Sequence, residues 1–373
     1  MQKIRLLCAF VGIVCVGLVA IPAFADIKAF NAAIKAGDYK AAATEAKSTW
    51  ASWDKSDPDT ATVAREFGFA AYVAGDYATA REFGQFLKDN GSVLPTPDDQ
   101  PVLSAVLLTA AEFRLDSGKR QPLVDALKSR EAIAGLDMQS ALAAEALYHG
   151  DWASGKWGAA DDSAALADRL LSRGGTQLIV RALEARATAA VAGFMSGRNK
   201  QDYARIVTAH NDVVDALDKT LDPRQRKSLI PLKFRLEAWA SSVASYFSAT
   251  QQTGSLISKN VRPLELKSTE RPLFDEAFTG PDSCEGDMNI GSLRYPLAAE
   301  FRGMVGTVIM RYDSDAQGRI TKHEILAAVP VAQFAAEVDK AADSFQLKRA
   351  PTDKPGCTLA NTSRIVRLLF YIL

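Results

Sequence analysis

The sequence predicts an α+β chain of two domains: a long, mainly α-helical domain built from repeats, then a small α/β domain holding a three-stranded sheet and a helix. Three observations carry this expectation. Residues 26–253 are rich in alanine and show helical rather than alternating apolar periodicity, with Gly or Pro recurring about every 15–40 residues. Residues 254–292 shift to Pro, Gly, Ser and charged side chains, which marks a linker. Residues 293–373 then bring in β-branched, alternating segments of the kind that form strands.

Within the helical part a short phrase recurs. Gly37-Asp38-Tyr39 is followed by Ala42, Gly75-Asp76-Tyr77 by Ala80, and Gly150-Asp151-Trp152 comes later, with a diverged copy at Asp116-Ser117-Gly118. Gly ends one helix in a left-handed conformation that other residues resist, and Asp caps the next helix. The aromatic side chain and the small Ala then pack back on the first helix. Phe67 and Gly68 supply a large-then-small pair one helix earlier. On these residues the region resembles the tetratricopeptide repeat, whose helix pairs of about 34 residues stack into a solenoid. The resemblance implies an interaction or spacing module. Beyond Gly158 the repeat fades, and helices are expected over 176–195, 201–221 and 224–251, the last kinked by Pro231. Phe234, Trp239, Tyr246 and Phe247 on that helix are expected to be core.

The C-terminal segment reads as a ββαβ plan. Residues 306–312 alternate as a strand, the polar stretch 313–318 is its turn, and 319–326 return. Pro330 opens a helix carrying Phe334, Val338, Ala341, Ala342 and Phe345, a strand closes the chain over 364–373, and a short helix over 296–301 precedes the hairpin. Tyr295-Pro296, Val305-Gly306-Thr307-Val308, Asp315 with Gly318-Arg319-Ile320, then Ile325, Pro330 and Phe334 follow in order. On these residues, residues 293–373 resemble the C-terminal domain of TonB-type proteins. The resemblance implies docking of extended segments of envelope proteins, including outer-membrane transporters, by strand addition at a sheet edge. The partner-facing residues it implies are Tyr295 and Pro296, with Ile365, Val366, Arg367, Leu368 and Leu369 on the last strand. Gly291-Ser292-Leu293-Arg294 stand where the best-known members carry a glutamine, and a helical domain replaces their proline-rich spacer.

Residues 1–25 have the three parts of a cleaved export signal: Lys3 and Arg5, an apolar run over 6–20, and Pro22 before Ala23-Phe24-Ala25. Cleavage before Asp26 would leave 348 of the 373 residues and place the protein in the periplasm of a Gram-negative bacterium, with membrane contact only if the signal were retained. The 44 basic and 44 acidic side chains balance, and loss of Lys3 and Arg5 would leave two more acidic than basic. Nothing here recruits nucleic acid. Cleavage would also remove Cys8 and Cys15 and leave Cys284 and Cys357, which in an oxidising compartment read as one disulfide.

One rival motif has EF-hand spacing: Asp313, Asp315, Gln317, the position of Ile320, and Glu324, which would make a calcium-binding protein. Gly303, Gly306, Thr307 and Pro330 make poor flanking helices for it. No metal or cofactor is otherwise expected. The three histidines His149, His210 and His323 form no zinc-ligand spacing, and no Gly-x-Ser-x-Gly elbow or phosphate loop occurs, so no enzyme is expected. The expectation is a periplasmic binding adaptor, with a membrane-anchored energy transducer as the alternative.

Overall fold

The computed structural model describes residues 27–98, 101–133, 135, 138–220, 222–252, 265–274 and 282–370. The expected export signal, residues 254–264 and 275–281 of the expected linker, and the last three residues lie outside these. The chain divides into two compact units, one ending at Leu178 and one beginning at Ile179.

The first unit is all helical. Its helices are α1 (Ile27–Ala36), α2 (Tyr39–Ser52), α3 (Thr60–Ala74), α4 (Tyr77–Asn90), α5 (Pro101–Leu115), α6 (Arg120–Glu131), α7 (Met138–Ala153) and α8 (Trp157–Leu171). Each packs on its successor in the chain, and α5 packs on both α3 and α7 as well. The turns follow from the repeated phrase. Gly37 and Gly75 have φ of 74° and 84°. Asp38 and Asp76 accept the amides of Ala41 and Thr79 at 3.0 and 3.2 Å. Their own amides reach back five residues, to the carbonyls of Ala33 and Ala71.

The third copy of the phrase is not where the Gly-Asp pair suggests. Gly150 and Asp151 lie inside α7, and the turn is Gly155-Lys156-Trp157: Gly155 has φ 66°, and the Lys156 amide reaches back to the Asp151 carbonyl. Ala42, Ala80 and Ala160, each three residues past the aromatic, are fully buried. A lysine in the capping position hides this copy from a search for Gly-Asp. Asp151 instead is buried and takes two bonds from Arg120, at 2.7 and 2.9 Å, and one from Ser163 at 2.8 Å. Asp116 does mark a turn, capping a short 3₁₀ segment through the Gly118 amide. Phe67 is buried against Phe30, and a methyl group on Gly68 would lie 2.5 Å from Leu107 and 2.9 Å from Phe83.

The second unit joins three helices to the sheet. These are α9 (Ile179–Gly197), α10 (Lys200–Lys219) and α11 (Pro223–Gln252), which runs on through Pro231. Phe234, Trp239 and Phe247 are buried, as the sequence predicts, whereas Tyr246 is only half-buried. There follow β1 (Asp287–Asn289), α12 (Leu297–Glu300), β2 (Gly306–Ser314), β3 (Ile320–Val329), α13 (Gln333–Ala341), β4 (Gln346–Lys348) and β5 (Asn361–Phe370). Strands β2, β3 and β5 form an antiparallel sheet in the order β3-β2-β5, and β1 pairs with β4 in a second, two-stranded one. The expected hairpin, helix and closing strand are therefore present. The strands β1 and β4 are too short to show a period of two, so the sequence gives no sign of them.

The central strand β2 shows why the domain boundary differs from the expected one. Residues 306–310 are buried without interruption, as in strands covered on both faces. Val308, Met310 and Tyr312 face a cluster with Phe334, Val338 and Phe345. On the other face, Thr307 accepts a 2.8 Å hydrogen bond from Ser242 of α11, and the Arg311 guanidinium lies 4.1 Å from the Phe274 ring centre. The sheet thus lies between α13 and α11. The sequence grouped α9–α11 with the repeats; by packing they belong with the sheet. Part of the expected linker is also fastened down. Lys267 pairs with Asp215 at 2.9 Å, Arg271 donates to the Thr220 carbonyl at 3.1 Å, and Phe274 stacks on Phe234.

Candidate functional site

The site is assembled around β5. Because the order is β3-β2-β5, this strand is, like β3, an outer strand of its sheet. Its register against β2 runs from Tyr312 opposite Arg364 to Gly306 opposite Phe370. Among the described residues, no other strand and no further backbone hydrogen bond engages residues 364–370. An edge of this kind presents unpaired N–H and C=O groups to a further strand.

Its side chains divide by face. Leu368 and Phe370 are buried with Phe334 and Val338, and Val366 packs partly against them. On the other face, Ile365 and Leu369 are 37% and 44% exposed. Between these two stands Arg367, which donates from Nη2 to Glu237 Oε1 on α11. Five sequence-predicted partner residues therefore lie along one strand, but only Ile365, Arg367 and Leu369 present substantial surface.

Tyr295 and Pro296 lie elsewhere. The Tyr295 ring packs edge-on against Phe334 and Phe370, with centres 5.7 and 5.8 Å away. Its hydroxyl is buried without a hydrogen-bond partner among the described residues, and burial pushes its pKa up. Pro296 is buried, and its carbonyl accepts the amides of Ala299 and Glu300. The pair anchors α12 to the core. What α12 and its C-cap offer outward is Leu297 and Phe301, 69% and 88% exposed, which no periodicity in the sequence marks.

Glu237 sits in a buried charge network that the sequence did not announce. Lys233 Nζ donates to its Oε2 at 2.8 Å, and the two side chains are only 9% and 14% exposed. Burial raises the Glu237 pKa, but Lys233 and Arg367 more than offset this and hold it below the usual carboxylate range. His210 on α10 feels all three charges and is fully buried. Its Nδ1 lies 3.0 Å from Asn211 Oδ1, which also accepts the Lys267 amide at 3.0 Å. An oxygen can only accept, so the proton is on Nδ1 and Nε2 is a bare lone pair. Nε2 is buried and has no partner among the described residues. Burial lowers the His210 pKa most, and Lys233 and Arg367 lower it further against the opposing pull of Asn211 and Glu237.

Cys284 and Cys357 are bonded to each other, across 73 residues of chain, and both are buried. Asp353 braces the bridge by accepting the amides of Glu285, Gly286 and Ala350. These amides draw its pKa down against desolvation.

The calcium-loop residues have other employment. Asp315 accepts the amides of Gln317 and Arg319, both at 2.9 Å, and pairs with the Arg319 guanidinium. Asp313 accepts the Ser363 amide at 2.7 Å, and Glu324 pairs with Arg311 at 2.5 Å. Gln317 lies in the turn and Ile320 opens β3. Strands β2 and β3 flank this turn where a calcium loop requires two helices. His323 lies 3.0 Å from Asp339 of α13. No helix among the described residues is long and apolar enough to cross a membrane.

Comparison with protein-family models, with curated proteins and with solved structures finds no match for this chain.

Proposed function

We propose that this protein is a periplasmic adaptor that captures an extended segment of an envelope protein by strand addition along β5. The observation that carries the reading is the position of β5: an outer strand, bonded to β2 alone among the described residues, with Ile365 and Leu369 exposed beside the open edge. Backbone groups supply most of the bonding in strand addition, and alternate side chains supply selectivity. Two further features support the reading. The order helix, hairpin, helix, strand follows the plan of a TonB-type C-terminal domain. The buried Cys284–Cys357 bridge suits an oxidising compartment.

The helices of the first unit would serve a different partner. Their three equivalent Gly-turn-aromatic junctions and the packing of alternate helices α3, α5 and α7 support a tetratricopeptide-like solenoid.

The test is site-specific photo-crosslinking in the native host. A photoreactive residue at position 365 or 369 should yield a discrete cross-linked product containing a peptide from an envelope protein, and one at Lys340 on α13 should not. Equal cross-linking from all three positions, or none, would defeat the reading.

A further inference from the structure

One face of β5 carries an unbalanced charge. Ile365, Arg367 and Leu369 stand opposite Arg311, Ile309 and Thr307 of β2, on the face that Ser242 of α11 meets through Thr307. Ile365 and Leu369 are exposed, and Arg367 lies between them. The Arg311 charge on this face is matched by Glu324. That of Arg367 is not, because its carboxylate, Glu237, is shared with Lys233: the bonded group holds two cations and one anion. Lys233 and Glu237 are enclosed, whereas the Arg367 side chain is 42% exposed, so the surplus charge meets solvent at Arg367.

The guanidinium is also incompletely used. Among the described residues it donates one hydrogen bond, from Nη2 to Glu237 Oε1, and its Nε and Nη1 have no acceptor there. A guanidinium presents its donors as a planar fork that takes a carboxylate through two bonds. Glu237 holds the head of the side chain in place, so less freedom is lost when a further acceptor arrives.

A strand added beside β5 sets one residue opposite Arg367, with Cβ atoms about 5 Å apart. Its residues two before and two after fall on the same face, beside Ile365 and Leu369. That pattern is the same from either end, so it holds whichever way the added strand runs. We propose that β5 selects extended segments in which an acidic residue is flanked, two positions to each side, by apolar ones, and that Arg367, positioned by Glu237, receives the carboxylate. The inference rests on the adaptor reading for the edge and adds the class of segment that the edge takes.

The experiment uses the chain from Asp26 to Leu373 and labelled seven-residue peptides blocked at both ends. Each has threonine at the odd positions, valine at positions two and six, and aspartate, asparagine or lysine at position four. Binding is read by fluorescence anisotropy at low ionic strength, where charge contacts are least screened. The aspartate peptide should bind roughly tenfold tighter than the asparagine peptide, and the lysine peptide should be the weakest. Arg367→Gln, with a melting temperature near that of the wild type, should bind the aspartate and asparagine peptides equally. Arg367→Lys keeps the charge without the fork and should retain a reduced preference for aspartate. Equal binding of all three peptides by the wild type, or an aspartate preference that survives Arg367→Gln, would overturn the inference and leave the docking edge standing. Failure of every peptide to bind, with no cross-link from position 365 or 369 in the host, would overturn the adaptor reading and the inference with it.

Discussion

Glu237 of α11 and Arg367 of β5 are bonded across 130 residues of sequence, tying a helix read as part of the repeat region to the last strand of the sheet. The same carboxylate accepts Lys233 from one turn earlier on its own helix.

Removing the shared acceptor and removing the exposed donor should have unequal effects. Glu237→Gln leaves Lys233 enclosed without a counter-charge and should destabilise the second unit by about 3 kcal/mol, as for other broken buried pairs. Arg367→Gln removes a partly solvated member and should cost about 1 kcal/mol or less. Urea unfolding of both variants would check the order, and equal losses would contradict it.

Acid should weaken the fold first through His210. Its native pKa lies below the unfolded value of 6.5, so the unfolded chain binds the proton more readily. Its contribution is therefore fully present above about pH 6.5 and is lost as pH falls through the lower native pKa. Glu237, also lowered, adds its loss only below its unfolded value of 4.5. Between the native and the unfolded pKa of His210 the wild type should lose stability at up to about 1.4 kcal/mol per pH unit, and His210→Gln should be flatter there. Parallel profiles would exclude His210 as the source.

The disulfide should matter chiefly through the unfolded chain. Closing a loop of 73 residues restricts that state by about 4 kcal/mol. Cys284→Ser should lower the melting temperature of the second unit, and added reductant should then have no further effect. A variant that melts with the oxidised wild type would show that the bridge contributes nothing.

Two glycines with similar backbone angles should respond differently to alanine. Gly318, φ 77°, ends the β2–β3 turn, and a Cβ there would lie 2.0 Å from the Leu347 carbonyl oxygen. Gly155, φ 66°, has open space around the same position. Gly155→Ala should cost about 1 kcal/mol from the left-handed conformation alone. Gly318→Ala should cost at least about twice that, because the backbone of the turn or of β4 must also move. Thermal melts of the pair would test this.

Much of this was legible because it is local. Helical periodicity marked α9 to α11 and alternation marked the hairpin. The spacing of Phe334, Val338 and Phe345 marked α13, and Gly-Asp-Tyr marked two turns. One departure is also local: Gly155-Lys156-Trp157 repeats the turn geometry without the capping Asp, whereas Gly150-Asp151 carries the Gly-Asp pair inside α7. Tyr295 and Pro296, expected to face a partner, pack into the α13 side of the sheet.

By itself, then, the sequence determined the longer helices and the three long strands, and that two cysteines form one bridge, since periodicity, caps and pairing rules act without reference to the tertiary fold. Only the tertiary structure decided that α11 covers the second face of the sheet, that β5 is an outer strand, and that Lys233, Glu237 and Arg367 meet. Strand order and buried charge pairing are contacts between residues far apart in the chain, and no local pattern specifies them.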